Sequence, residues 1–358
     1  MKRYFSKVVA VLLIAGLTLS GCGNPAANNQ NEQQNQTEEA KIDNTEETQE
    51  NSEDQVGVNT EEVFEDTQSM GDVIDIEDEA VALASSDAAL SKVILPVASG
   101  KKVEENSDMV IDYSNTDKGY VMVKYKKSTS VKLKAQVTGN SKTTYTYNLT
   151  AKKWAAFPLS DGDGSYKVCV FKNISGTSYA TVGSVTFKAD LEDPKAPFMT
   201  ANQYVNYDSD SKCVKKANTL CKNVTTEMGK VKKIYKWTLS YFSYDTKKAK
   251  SVESGYLPDL DKVYKAKKGI CFDYASTMVA MLRSQGVPTK LVIGYSGSVY
   301  HAWINVYTKK SGWVTGAIYF DGKDWNLMDP TFADSANSSK EIMDYIGNGK
   351  NYTAKYIY

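Results

Sequence analysis

The sequence predicts an α+β protein: an all-β sandwich is followed by a domain that mixes helices with strands, and a disordered segment precedes both. Three observations support this class. Residues 23–88 are acidic and poor in apolar side chains, so they cannot bury enough surface to fold. Residues 89–192 contain short runs that alternate apolar and polar side chains, as half-buried strands do. In residues 198–358 the apolar period lengthens to about 3.6, the period of helices.

The first 22 residues have the layout of a secretory signal peptide. Lys2, Arg3 and Lys7 precede an apolar stretch of about 12 residues, which is too short for a lasting membrane span. The run Leu19–Cys22 resembles the lipobox of bacterial lipoproteins, and this resemblance implies that Cys22 carries the lipid. We therefore expect a protein that is lipid-anchored at the extracellular face of a bacterial cell membrane. An ordinary cleaved signal with an incidental cysteine is the alternative.

The formal net charge of zero is the sum of two parts of opposite sign. Residues 23–80 hold 18 acidic side chains and one basic side chain, Lys41, and this composition predicts a flexible acidic tether. Residues 81–358 hold 39 Lys or Arg against 25 Asp or Glu, a net charge of +14. A basic body suits an anionic cell envelope, and a generic soluble surface explains the charge equally well. A nucleic-acid partner is not expected, because the sequence has no recognisable binding motif.

The five cysteines do not form a disulfide framework. Besides Cys22 and Cys271 there remain Cys169, Cys213 and Cys221, an odd number without the spacing of metal ligands. Cys213 and Cys221 share one face of a predicted helix but lie about 12 Å apart along it, too far for a bridge. We predict that they are buried apolar side chains, and we expect neither a metal nor a cofactor.

In the first domain, residues 89–192, alternating runs predict the strands of a sandwich. These runs are Met109–Tyr113, Tyr120–Tyr125, Val131–Val137, Thr143–Leu149, Tyr166–Phe171 and Tyr179–Phe187. Their repeated tyrosines favour cross-strand packing, with a ligand surface as the alternative. The run Asp161–Gly164 predicts a turn, since the ligand spacing of a calcium loop is missing. The segment Asp193–Pro197 predicts a linker.

The second domain, residues 198–358, begins with predicted helices at 212–224 and 227–242. A third helix is predicted to open at Cys271 and to end before Gly286 and Pro288. Its buried face follows the i, i+3, i+4, i+7 spacing, with Ala275, Met278, Val279 and Leu282. Cys271 therefore lies in the first turn, where unpaired N–H groups and the helix dipole stabilise a thiolate. This position suits a nucleophile, although a small buried side chain is the ordinary alternative.

His301 is the only histidine of the chain, so any imidazole acid–base chemistry must use it. Strands are predicted at 289–295 and 301–307, and alternation places His301 opposite the apolar face of its strand. A third predicted strand, 325–329, ends at Asp329. Adjacent antiparallel strands would bring the Asp329 carboxylate beside His301, where it can fix the imidazole tautomer. Taken singly, His301 also fits a hydrogen-bonded strand residue, and Asp329 a turn residue before proline.

Together these residues resemble the core of the transglutaminase-like superfamily, which is related in architecture to papain-type cysteine proteases. The resemblance covers about residues 210–335, and its motifs are Gly269–Ala275, Gly286–Pro288, Gly294–Tyr295, His301–Trp303 and Trp325–Thr331. It implies that Cys271 is the nucleophile, His301 the general base and acid, and Asp329 the orienting carboxylate. The resemblance does not extend to the tether or to the β-rich domain. The calcium sites of animal transglutaminases have no counterpart in the sequence, so calcium activation is not expected.

The family also uses an aromatic residue upstream of the cysteine to help hold the oxyanion. Tyr244 best fits that place, with its hydroxyl as a donor beside the backbone N–H of Cys271. Trp237 is the other candidate. For both side chains, packing on the helix face is the alternative.

These inferences predict a cell-envelope thiol acyl-transfer enzyme that acts on amide bonds of proteins or peptides through a thioester intermediate. Hydrolysis, as a cysteine peptidase or amidase, is slightly favoured over glutamine–lysine cross-linking, because water is the default acceptor at an open site. The alternative is a non-catalytic lipoprotein that binds an envelope polymer or a partner protein through the β sandwich.

Overall fold

The β-rich region of the computed structural model contains eight of the described strands. The structure describes residues 92–309, 312–314, 318–320, 325–327 and 352–358. In chain order the strands are β1 (Val103–Glu105), β2 (Met109–Asp112), β3 (Tyr120–Tyr125), β4 (Leu133–Thr138), β5 (Thr144–Leu149), β6 (Trp154–Pro158), β7 (Gly164–Ser175) and β8 (Ser178–Ala189). They form two antiparallel sheets, of order β1-β2-β3-β6 and β5-β4-β7-β8. The predicted signal peptide 1–22, with Cys22, and the predicted tether 23–88 lie outside the described residues.

The two sheets pack face to face through aromatic side chains. The rings of Tyr147 on β5 and Phe157 on β6 stack with centroids 4.1 Å apart, and those of Tyr113 and Phe187 with centroids 5.3 Å apart. Alternate residues of β4 and β5 point into this interface, which is why these strands show a period of two. The predicted α+β class, with a β-rich N-terminal region, is confirmed. The short strands β1 and β6 were not predicted.

Five helices follow in the described residues: α1 (Lys212–Cys221), α2 (Glu227–Tyr241), α3 (Thr246–Ser251), α4 (Leu260–Ala266) and α5 (Cys271–Ser284). Helices α1, α2 and α5 lie where the apolar spacing predicts them. The short helices α3 and α4 were not predicted, because neither is long enough to show a period. Both begin at an aspartate cap: the carboxylate of Asp245 accepts from the N–H of Lys248 at 3.0 Å, and that of Asp259 from the N–H of Lys262 at 3.1 Å.

Helix α5 lies at the centre of the second half of the chain. Twelve of its fourteen residues are buried, and it packs against α1, α2 and the sheet described next. That sheet is antiparallel and has the order β13-β12-β11-β16. Its strands are β11 (Thr289–Ser296), β12 (Val299–Thr308), β13 (Gly312–Val314) and β16 (Tyr352–Ile357). None of the described helices is both long enough and apolar enough to cross a membrane.

The remaining described strands form two small sheets. Strands β9 (Ser243–Tyr244) and β10 (Lys268–Gly269) pair in parallel. Strands β14 (Ile318–Phe320) and β15 (Trp325–Leu327) pair antiparallel. The third strand of the predicted site is thus present as β15, but in the described residues it pairs with β14, whereas β12 lies between β11 and β13.

One continuous cluster of buried apolar side chains joins the β-rich region to the helical region. It runs from Val123 and Val168 in the two sheets to Met278 on α5 and Ile304 on β12. The predicted linker leads into a short 3-10 turn, Ala196–Phe198, in which Pro197 and Phe198 are buried. The linker is therefore packed against the protein. The proposed domain bounds, 89–192 and 198–358, stay predictions.

Arg283, in the last turn of α5, ties separate parts of this core together. Its side chain is fully buried, and its guanidinium donates to the carbonyl oxygens of Thr289 at 2.9 Å, Thr200 at 2.7 Å and Tyr358 at 2.9 Å. Burial lowers the pKa of Arg283 to about 10, which leaves the side chain charged at neutral pH. The chain contains 41 lysines and two arginines. One of the two arginines therefore lies where a single side chain must donate to three carbonyl oxygens in different directions, which the planar guanidinium can do.

We expect Arg283→Lys to lower the free energy of unfolding by about 2–4 kcal/mol, because one ammonium group cannot reach all three carbonyl oxygens and the buried acceptors left over lose their partners. Urea unfolding followed by tryptophan fluorescence measures the change. The exposed Lys236→Met on α2 is the control and should change the free energy by less than about 0.5 kcal/mol. An equal urea midpoint for Arg283→Lys and the wild type would contradict this role.

Candidate active site

Cys271 is the first residue of α5 and is partly exposed. The residue before it, Ile270, occupies the N-cap position and has no polar side chain to accept from the first turn. The N–H groups of that turn therefore face the cysteine region without a side-chain cap, and they carry the positive end of the helix dipole. A thiolate or an oxyanion at this position meets a favourable potential.

The other described cysteines have a different environment. Cys213 and Cys221 are buried on α1, and Cys169 is partly buried on β7. Burial raises the pKa of the Cys213 thiol to about 12 and also raises the pKa of Cys221 and Cys169. These three thiols are kept protonated at neutral pH. Cys213 and Cys221 are buried, as predicted.

His301 lies on β12, opposite Gly294 of β11, and only 5% of its surface is exposed. Ala302 and Ile304, which alternate with it, belong to the main core cluster, as the predicted alternation requires. The other face of the strand is covered as well: Trp303 is buried, and its ring lies 5.1 Å from that of Tyr352 on β16. His301 is therefore more enclosed than the alternation of its strand predicts.

Gly294 allows β16 to approach the strand pair that carries His301. A Cβ atom at Gly294 would overlap the carbonyl oxygen of Thr353, and it would come within 2.9 Å of the backbone nitrogen of Lys355. The register of β16 on β11 also shifts at this point. The sequence motif that contains Gly294 thus reflects the close approach of two backbones.

Asp329, the predicted orienting carboxylate, lies outside the described residues. Strand β15 ends at Leu327, two residues before it. The placement of Asp329 beside His301 stays a prediction.

Tyr244, the first oxyanion candidate, lies close to Cys271 through the parallel strand pair. It is paired with Gly269 of β10, two residues before the cysteine. The N–H of Ser243 donates to the carbonyl of Lys267 at 3.0 Å, and that of Asp245 donates to the carbonyl of Gly269 at 2.9 Å. The hydrogen bonds of the residues before and after Tyr244 thus keep it in register with the segment that leads into α5.

Trp237, the second candidate, lies within an aromatic cluster on α2 and α4. Its ring centroid is 4.5 Å from that of Tyr241 and 5.8 Å from those of Phe242 and Tyr264. The ammonium group of Lys216 lies over the indole, 5.9 Å from its centroid. These contacts are those of a packing residue.

Sequence reasoning did not single out Asp273, the third residue of α5. Its carboxylate is fully buried and accepts from the N–H of Ile270 at 2.8 Å. A Cβ atom at Gly269 would come within 2.6 Å of the Asp273 Cβ, so the Asp273 side chain fills the space beside Gly269. An acidic residue at the third position of a predicted helix often accepts from the backbone N–H before the helix, and this pattern could have identified Asp273.

Aromatic side chains extend from Phe272, the residue after Cys271, towards the β-rich region. The Phe272 ring lies 5.6 Å from that of Tyr204, and Tyr204 stacks on Tyr358 at 4.2 Å. Tyr147 on β5 contacts both tyrosines edge-on. The β-rich region therefore supports one side of the site through stacked rings. Within the described residues, no group of three or more His, Cys, Asp or Glu side chains is arranged to hold a metal ion.

Comparison with known proteins finds a family match in the second half of the chain. A sequence model described as the transglutaminase-like superfamily matches residues 214–316. YebA of Bacillus subtilis, described as an uncharacterized protein, is 33% identical over 98 residues, which cover 21% of this chain and 12% of YebA. The match thus spans about an eighth of the length of that relative.

Solved structures that match the chain include two bacterial proteins. A candidate cysteine protease from Cytophaga hutchinsonii shares 17% identity over 61% of this chain and 73% of its own, with a TM-score of 0.31. The periplasmic domain of TgpA from Pseudomonas aeruginosa, bound to ethylmercury, shares 14% identity over 60% of this chain and 94% of its own, with a TM-score of 0.31. Residues 214–316 of the chain thus match the transglutaminase-like superfamily as a domain.

Proposed function

We propose that the protein is a thiol acyl-transfer enzyme that acts on amide bonds of proteins or peptides through Cys271, His301 and Asp329. The observation that supports this most directly is the position of Cys271. It is a partly exposed thiol at the uncapped start of a buried helix, and that helix packs against the strand that bears the only histidine. Such a helix start favours the thiolate, the form of cysteine that attacks a carbonyl.

The proposed reaction has two halves. His301 takes the proton of the Cys271 thiol, and the sulfur attacks the carbonyl carbon of an amide. The carbon–nitrogen bond then breaks, His301 returns the proton to the leaving amine, and a thioester forms. In the second half, water or an amine attacks the thioester carbonyl and His301 takes its proton. The carbon–sulfur bond then breaks, His301 returns the proton to the sulfur, and a carboxylic acid or a new amide leaves. Asp329 is proposed to hold the imidazole in the required tautomer.

The oxyanion of each tetrahedral intermediate is proposed to accept hydrogen bonds from the backbone N–H of Cys271 and the hydroxyl of Tyr244. The pairing of Tyr244 with Gly269 supports this assignment over Trp237, whose ring is engaged in aromatic packing. Preorganised donors of this kind contribute about 10²–10³-fold each to the rate of acyl transfer.

Hydrolysis is proposed as the main outcome, since water is the default acceptor, with glutamine–lysine cross-linking as the variant in which a lysine amine replaces it. We place the enzyme at the extracellular face of the cell membrane, anchored through a lipid on Cys22. Its substrates are then proteins or peptides of the envelope. The proposed steps use side chains of the chain itself and need no cofactor.

Cys271→Ala should abolish turnover, because no other described thiol combines exposure with a helix start. The assay is mass spectrometry of the full chain incubated with a peptide library, with and without a primary amine. Cleavage, deamidation of glutamine and amine incorporation each give a distinct mass change. Cys169→Ser is the matched control and should turn over at the wild-type rate. Turnover retained in Cys271→Ala would exclude the mechanism.

Iodoacetamide at pH 7.5 should label Cys271 before Cys169, Cys213 and Cys221. Only the thiolate reacts, so labelling slows about tenfold for each pKa unit by which burial raises the pKa of a thiol. Peptide mapping of the native protein over a time course measures the order, and labelling in 8 M urea, where all four should react alike, is the control. Equal labelling of Cys213 in the native protein would contradict the described burial.

His301→Ala should shift the pH dependence of Cys271 labelling to higher pH, because the thiol then loses the base that takes its proton. The measurement is the labelling rate of Cys271 between pH 5 and 10. Asn305→Ala, on the same strand, is the control and should leave the profile in place. An unchanged profile for His301→Ala would remove His301 from the site.

A further inference from the structure

Three polar side chains meet beneath the first turn of α5. The hydroxyl of Tyr256 donates to Oδ1 of Asp273 at 2.6 Å, and the ammonium group of Lys248 donates to Oδ2 at 2.5 Å. Lys248 also donates to the Tyr256 hydroxyl oxygen at 2.5 Å. With the N–H of Ile270, the Asp273 carboxylate accepts from three donors. We refer to Lys248, Tyr256 and Asp273 as the anchor cluster.

The anchor cluster is largely withdrawn from water. The Asp273 side chain is fully buried, and 26% of the Lys248 side chain is exposed. Burial, and then the hydrogen bond to Asp273, raise the pKa of Tyr256 well above its usual range, so its hydroxyl remains a donor at neutral pH. A buried carboxylate with three charge-assisted or short hydrogen bonds is held in one place, since every donor fixes it from another direction.

The cluster connects the two segments that carry the proposed oxyanion donors. Lys248 lies in α3, whose cap is Asp245, the residue directly after Tyr244. Asp273 lies two residues after Cys271 and binds the N–H of the residue before it. A chain of bonds therefore runs from Tyr244 through Asp245 and Lys248 to Asp273 and the first turn of α5.

Gly269 shows that this arrangement needs close packing. Gly269 pairs with Tyr244, and a side chain at Gly269 would collide with Asp273. Strand β10 and the Asp273 carboxylate can therefore pack together only because residue 269 has no Cβ. The charges of Lys248 and Asp273 also cancel. The cluster thus adds little net field at Cys271, and its effect on the site is one of position.

We propose that Lys248, Tyr256 and Asp273 are positioning residues that hold Tyr244 and the backbone N–H of Cys271 at the spacing an oxyanion requires. This rests on the proposed function. None of the three is assigned a contact with substrate. Misplacing catalytic groups by about 1 Å costs up to 10²-fold in rate, so a small loosening of this cluster is measurable.

The test uses p-nitrophenyl acetate as the acyl donor, with the full chain, and subtracts the rate of Cys271→Ala. We expect Tyr256→Phe, which removes a single hydroxyl, to slow the acylation burst about tenfold without changing its half-saturating concentration. The rate of Cys271 labelling by iodoacetamide, a reaction that forms no oxyanion, should stay within about twofold of the wild-type rate. Tyr241→Phe is the control, because it also removes a single hydroxyl, one that donates to the carbonyl of Tyr264 at 3.3 Å.

Lys248→Met and Asp273→Asn test whether the residues act as one unit. Each should slow acylation at least as much as Tyr256→Phe, and the double variant should be no slower than the slower single variant, because both changes disrupt the same network. The proposal is overturned if Tyr256→Phe acylates at the wild-type rate, if labelling and acylation fall in parallel, or if the double variant shows the product of the two single effects. A wild type without Cys271-dependent acylation would instead overturn the proposed function.

Discussion

The position of Cys271, the proposed nucleophile, depends on a buried charge at the opposite end of its helix. Arg283 joins α5 to Thr200 after the β-rich region, to Thr289 at the start of β11 and to Tyr358 beyond β16. At the other end Asp273 gathers three donors around the first turn. The positive charge of Arg283 near the end of α5 complements the helix dipole, so this residue stabilises α5 as well as locating it. Cys271 is thereby fixed relative to the sheet that carries His301.

Tyrosine packing makes the β-rich region part of the site's support. Tyr145 and Tyr147 on β5 contact Tyr358 edge-on, and Tyr204 links these rings to Phe272 beside the nucleophile. Stacked and edge-on rings contribute about 0.5–1.5 kcal/mol per pair beyond the area they bury, and they resist sliding because each has preferred geometry. The two halves of the chain therefore pack against each other through these rings, and the sandwich, which has no counterpart in the family resemblance, supports the segment beside Cys271.

Elements with a strong period were predictable from the sequence, and contacts between distant segments were not. The helix start at Cys271 followed from the apolar spacing of its first three turns, and β11 and β12 followed from alternation. Strand β6 has a less regular pattern, and α3 has six residues, too few to show a period. Lys248 and Tyr256 reach Asp273 from 25 and 17 residues away, a relation that no local pattern contains. Gly269 illustrates the same limit, because a glycine is needed there to leave space for the side chain of Asp273, and no local pattern shows that contact.

The placement of β16 means that the sheet of β11 and β12 can be completed only late in synthesis. This strand pairs with β11 although about sixty residues separate them in the chain, and it covers the sheet next to His301. A chain emerges from its N-terminal side first, so β11 and β12 exist as a hairpin with one open edge well before residues 352–358 appear. During that interval Arg283 lacks the carbonyl oxygen of Tyr358, one of its three acceptors, and Trp303 lacks the ring of Tyr352. A nascent chain therefore carries Cys271 before the sheet that contains His301 is complete.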